Sequence, residues 1–165
     1  MARRIVTIKG RDREGRERDV KISIPKCPRP ARIKEVFKSQ EPLSPDRAME
    51  ICREALKRAG MENIKEVNGR MGLCLVGTKN NQKSDIEYEY IGPLLKSFAA
   101  RTVFKENDPT TVELFMTLSH EVFGERAEDP TFSVSPFDFD FGVRLSLAEE
   151  TFYQNEFTII KTKVY

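Results

Sequence analysis

Two periods of apolar residues run along this chain, and they predict one helix among strands. Ala48, Ile51, Cys52, Ala55, Leu56 and Ala59 recur every three or four positions, which is the spacing of one face of an amphipathic helix. Ser44 can cap its first turn and Pro45 suits its first position. Asp46 and Glu50 lie near the positive end of the helix dipole, Lys57 and Arg58 near the negative end. Gly60 is the expected stop. This pattern predicts a helix over 45–59.

Elsewhere the period is two. Val20, Ile22 and Ile24 alternate with polar residues, as do Ile86, Tyr88 and Tyr90, and then Val112, Leu114, Met116 and Leu118. Alternation of this kind predicts half-buried strands. Strands are expected over 4–9, 19–24, 63–67, 71–76, 85–91, 110–118, 143–147 and 156–164. Gly10 to Arg18 is a charged stretch with two glycines, so the first two strands should form a hairpin with a long exposed tip. Pro25, Pro28 and Pro30 make a stiff basic connector. Ile33, Val36 and Phe37 suggest a short helical stretch. Asn68-Gly69 signals a tight turn, 77–84 a polar loop and 107–109 a turn. Residues 94–104 read as a short helix running into a strand. Residues 119–130 read as a charged loop, and 132–141 as an edge strand or an exposed aromatic loop. The fold class is α+β in a single domain: an antiparallel sheet of about five or six strands, packed by helix 45–59 plus short helices. Within it, 1–24 forms a basic hairpin, 31–118 a helix-and-sheet core and 119–165 an acidic set of strands.

Charge changes the picture more than composition does. The net charge is only +2, yet residues 1–34 hold 12 Lys/Arg against 4 acids, a net of +8. Residues 106–157 hold 2 bases against 12 acids, a net of −10. A basic head attracts phosphate-rich partners or the acidic half of another copy. The candidate surface for anionic lipid or nucleic acid is Arg3, Arg4, Lys9, Arg11, Arg13, Arg16, Arg18, Lys21, Lys26, Arg29, Arg32 and Lys34. The plain alternative is a solvated hairpin with its charges paired internally. Aromatic residues are absent from 1–36, so contact by this head should be to backbone phosphates and without base stacking. The candidate acidic surface for self-association is Glu121, Glu125, Glu128, Asp129, Asp138 and Asp140.

Catalytic chemistry finds little support. His120-Glu121 has no second metal ligand at useful spacing, and a solvated loop residue is the simpler reading. Asp138 and Asp140 would share one side of a strand, as general acid–base pairs can. They alternate with Phe137, Phe139 and Phe141, so rings inward and acids outward is the plainer reading. With a single His and no nucleophile elbow, acyl transfer is not expected. Gly69-Arg70-Met71-Gly72 lacks the residues of a P-loop, and Asp140-Phe141-Gly142 lacks the rest of a kinase. No cofactor or metal is expected. Cys27, Cys52 and Cys74 are odd in number and widely spaced, which suggests reduced thiols and an intracellular protein. The N-terminus has no signal-peptide core, and no apolar run is long enough to span a membrane.

One stretch resembles a known family. Thr111-Val112-Glu113-Leu114-Phe115-Met116-Thr117-Leu118 looks like the T-I-E-L-x-M-T-I stretch near the C-terminus of vesicular-type rhabdovirus matrix proteins. Like that stretch, it is followed by an acidic loop and a Pro-containing turn, here Glu121 to Pro130. The expected strands 71–78 and 85–92 sit where that family has a similar pair, and the likeness covers about 19–130. The long Lys-rich arm and the Pro-Pro-x-Tyr motif of the animal viruses are absent from this sequence, so it is closer to the shorter matrix proteins of plant rhabdoviruses. The resemblance implies a non-enzymatic structural protein. Such a protein would self-associate head to tail, coat a viral ribonucleoprotein and link it to an anionic membrane, in the virion and at membranes in the host cytoplasm. Host proteins are further possible partners. The alternative is a cellular nucleic-acid-binding or adaptor module that stays monomeric. A third reading is a small enzyme assembled from Glu113, His120, Asp138 and Asp140.

Overall fold

A computed structural model describes residues 4–11, 13–24, 29–70, 72–83, 94–122 and 139–165. The chain forms two compact units. One comprises Met1–Pro28, Lys83–Lys96 and His120–Val134, the other Arg29–Gln82, Ser97–Ser119 and Ser135–Tyr165.

The first unit carries a two-stranded antiparallel hairpin, β1 (Arg4–Arg11) and β2 (Glu17–Ile24). Its register pairs Ile8 with Val20, Lys9 with Asp19 and Arg11 with Glu17. The ladder therefore takes in Gly10, Arg11, Glu17 and Arg18, and the tip is shorter than the sequence suggests. Residues opposite each other in an antiparallel ladder share a face. The register sets two of the candidate bases, Lys9 and Arg11, against the acids Asp19 and Glu17.

A six-stranded antiparallel sheet with two helices forms the main body, confirming an α+β fold. Its strands are β3 (Ala31–Ser39), β4 (Glu62–Gly69), β5 (Gly72–Lys83), β6 (Leu94–Phe104), β7 (Thr111–Val122) and β8 (Phe157–Val164). Their order across the sheet is β4-β5-β6-β7-β3-β8. Helix α1 (Pro45–Arg58) and helix α2 (Phe139–Gln154) supply the apolar cover.

Helix α1 forms as its sequence predicts. Ser44 Oγ accepts a hydrogen bond from the Arg47 N–H at 3.2 Å, and Pro45 fills the first turn. At the other end the Gly60 N–H donates to the Lys57 carbonyl and the Met61 N–H to the Leu56 carbonyl. These two bonds define a Schellman stop, with Gly60 at φ +83°. The buried face is Ala48, Ile51, Cys52, Ala55 and Leu56. It packs with Phe37, Leu75, Phe98, Leu114 and Phe152 in one core.

Several sequence expectations are corrected. Residues 31–39 are a strand, not a helical stretch. Ile33, Val36 and Phe37 fit helical spacing, but β3 pairs with β7 on one side and β8 on the other, and those ladders override a weak local preference. Residues 94–104 are strand throughout, with Phe98, Ala100, Thr102, Val103 and Phe104 buried. The tight turn falls after Gly69, because Asn68 pairs with Leu73 and Gly69 with Gly72. The polar stretch 77–83 continues β5 and is not a loop.

The largest correction is α2. Residues 139–154 are helical where a strand at 143–147 was expected. Phe141, Leu145, Ala148 and Phe152 meet the core at helical spacing. The Phe–Asp alternation just before them masked that period. Phe152 stacks on Phe37 with ring centroids 4.4 Å apart, and Arg144 Nη1 donates to the Ala59 carbonyl at 2.9 Å. The expected strand 85–91 and the stretch 123–138 lie outside the described residues.

Candidate functional site

Both helices pack on one side of the sheet, and the other side is where charge gathers. Along β3 the residues alternate. Ala31, Ile33, Glu35 and Phe37 turn towards the helices, and Arg32, Lys34, Val36 and Lys38 turn away. Register then sets the neighbours in rows. Arg32 lies beside Thr117 of β7, and its carbonyl accepts a hydrogen bond from the Tyr165 N–H at 3.0 Å. Lys34 lies between Phe115 and Lys163, Val36 between Glu113 and Lys161, and Lys38 between Thr111 and Thr158. Arg101 of β6 joins them with its guanidinium carbon 4.5 Å from the Phe115 ring centroid. Lys105, just past β6, joins through its contact with Glu113. The outer face of β6, β7, β3 and β8 thus gathers Arg32, Lys34, Lys38, Arg101, Lys105, Lys161 and Lys163 around Glu113, with Asp108 of the turn after β6 within the field of Lys38.

Glu113 is already engaged. Lys105 Nζ lies 2.8 Å from Glu113 Oε1, and Lys34 Nζ lies 3.5 Å from Oε2. Burial by itself would raise the Glu113 carboxyl, but the hydrogen bond from Lys105 and the charge of Lys34 outweigh it and hold it below its ordinary range. Glu113 is therefore ionised and acts as the buried anchor of two lysines. The remaining cations, Arg32, Lys38, Arg101, Lys161 and Lys163, are exposed.

The structure divides the sequence-predicted residues. Arg32 and Lys34 are on this face. Arg13 and Arg16 are exposed at the hairpin turn, and Arg29 is exposed ahead of β3. Arg4, Lys9, Arg11, Arg18 and Lys21 lie on the β1–β2 ladder. Arg3, Lys26, Glu125, Glu128, Asp129 and Asp138 lie outside the described residues. Glu121 is exposed on β7, whereas Asp140 accepts from Arg144 Nε at 3.2 Å within α2. Asp140 is thus committed to its own helix and is not an open acidic contact. His120 is no solvated loop residue: it lies in β7 and is 4% exposed.

Of the dispersed enzyme site, Glu113 is tied to two lysines on the outer face and Asp140 to Arg144 on the helix side. The sheet does not bring them together. Among the described residues no cluster of three His, Cys, Asp or Glu could hold a metal ion. No helix among them is long and apolar enough to cross a membrane. Burial pushes the Cys52 thiol up to about 12, so it is a packing residue and not a nucleophile.

Sequence reasoning missed Lys38, Arg101, Lys105, Lys161 and Lys163. They are spread over β3, β6, the turn after β6 and β8, and only the pairing of distant strands assembles them. Compared with protein-family models, curated proteins and solved structures, the chain matches none.

Proposed function

We propose that this is a non-enzymatic assembly protein that holds a polyanion against the outer face of its sheet. The observation that carries the reading is seven cations gathered on one face against two acids, Glu113 and Asp108. Such a face attracts phosphates by charge and by release of their counterions. In the matrix-type role that the Thr111–Leu118 stretch resembles, the polyanion is a ribonucleoprotein, with an anionic membrane surface as the second partner. The protein then acts in the virion and at host-cell membranes. Roughly 1 kcal/mol per basic residue near an anionic membrane makes such a face an adequate anchor.

The test compares two quadruple variants: Lys38, Arg101, Lys161 and Lys163 to Gln on the sheet, and Arg11, Arg13, Arg16 and Arg18 to Ser on the hairpin. Binding to RNA and to anionic vesicles is measured across salt. Loss of four phosphate contacts lowers the salt slope on single strands by about 3, and the sheet variant should show that loss. Unchanged affinity and slope in the sheet variant would overturn the proposal, and a loss confined to the hairpin variant would move the site to 1–34.

A monomeric nucleic-acid-binding module is the second reading. It is favoured by the engagement of Asp140 with Arg144, which removes one acidic contact from the head-to-tail surface. Sedimentation velocity at low and high salt separates the two. Growth that shrinks with salt supports assembly, and a monomer throughout supports the module.

A further inference from the structure

The basic face is not flat. Between Phe115 of β7 and Tyr165, one residue past β8, it dips into a groove of about 200 Å³ lined by Arg32, Ile33, Phe115, Met116, Thr117 and Tyr165. Tyr165 is 49% exposed and Phe115 is partly exposed. Each ring has a cation over its face, which a stacking base would displace or meet from the other side. Lys163 Nζ lies 4.6 Å from the Tyr165 centroid. Arg101 and Lys34 lie 4.5 and 5.4 Å from that of Phe115.

We infer that this groove takes an unpaired base of a single-stranded nucleic acid, stacked on Phe115 or Tyr165. Arg32, Lys34, Arg101 and Lys163 then hold the phosphates on either side. The inference rests on the polyanion-binding reading and goes further by naming which polyanion. The groove is smaller than the roughly 300–1,000 Å³ of a pocket that encloses a whole cofactor, so it suits one planar group. Two of its walls are aromatic, and cations outnumber the one nearby acid, Glu113, which Lys34 and Lys105 neutralise. Together these match a ligand that alternates a flat ring with a negative charge. A duplex keeps its bases stacked inside, and a membrane surface has no group to place between two rings. Stacking accepts any base, so little sequence preference is expected. The sequence argument against stacking applied to residues 1–36. The rings come from positions 115 and 165.

The probes are 12-nucleotide oligo(U) and oligo(A), their duplex, inorganic polyphosphate of matched charge and anionic vesicles. The wild type should bind both single strands at least about tenfold tighter than the duplex or polyphosphate. Phe115→Leu and Tyr165→Leu keep the charges and should each lower that preference about fivefold or more. A 4-thiouridine oligonucleotide on the wild-type chain should cross-link within 111–118 or 161–165, a readout that does not depend on how the variants fold. Equal affinity for single strands and polyphosphate, or cross-links confined to 4–24, would overturn the inference and leave polyanion binding standing. Vesicle binding with no oligonucleotide preference would overturn it in favour of a membrane surface. Failure to bind any of the probes would overturn both readings.

Discussion

Replacing Glu35 with Gln should make the protein more stable at alkaline pH and leave it nearly unchanged in acid. Glu35 is on the helix-facing side of β3 and is 3% exposed, and its Oε1 has no hydrogen-bond partner among the described residues. Across from it are Glu149 and Tyr153 of α2. Burial, reinforced by the charge of Glu149 and a hydrogen bond with it, raises the Glu35 carboxyl from 4.5 to about 8. Glu149 is itself raised by burial, and Tyr153 likewise. The folded chain thus keeps a proton that the unfolded chain releases near pH 4.5. Where the folded state binds more protons, stability falls as pH rises. The contribution is fully present below about 4.5, declines through neutrality and is gone above about 8. At about 1.4 kcal/mol per pH unit the window has an upper bound of about 5 kcal/mol. Glu149 is only partly buried and water relaxes the pair, so about 2 kcal/mol is the working figure. Urea unfolding of wild type and Glu35→Gln at pH 5, 7 and 9 measures it. The curves should lie together at pH 5 and separate by about 2 kcal/mol at pH 9, or about 4–8 °C in Tm. Parallel profiles across that range would refute a protonated Glu35.

Three further outcomes can be checked. Glu113→Gln frees Lys34 and Lys105, so it should cost about 1 kcal/mol of stability while steepening the salt slope of single-strand binding by about 0.7; weaker binding would count against the basic face. Arg144→Met removes the hydrogen bond to the Ala59 carbonyl, the Asp140 ion pair and the contact with the Phe98 ring 4.5 Å away. About 2 kcal/mol should be lost in thermal unfolding, and a loss under about 0.5 would show that α2 is not held there. Glu156 adopts φ +65° between α2 and β8, a conformation that costs a residue with a Cβ about 1 kcal/mol, so Glu156→Gly should raise Tm by about 2 °C.

Local chemistry alone determined the helix at Pro45–Arg58. Its cap, its apolar stripe and its glycine stop all lie within seventeen consecutive residues, Ser44 to Gly60, and neighbours in sequence are neighbours on a helix. The strand over 111–118 and the last strand were legible for the same reason, because alternation is a local property. Tertiary structure decided the rest. β3 is a strand because β7 and β8 flank it, and α2 is a helix because its apolar face meets Phe37 and Phe98. The segregation of charge along the chain pointed to residues 1–34 as the basic surface. The strand order β6-β7-β3-β8 instead draws Arg32, Lys34 and Lys38 from the early part of the chain, Arg101 and Lys105 from its near-neutral middle, and Lys161 and Lys163 from its end. A charged surface is a sum over space, and pairing strands about 80 and 130 residues apart in sequence is what turns scattered lysines into one face.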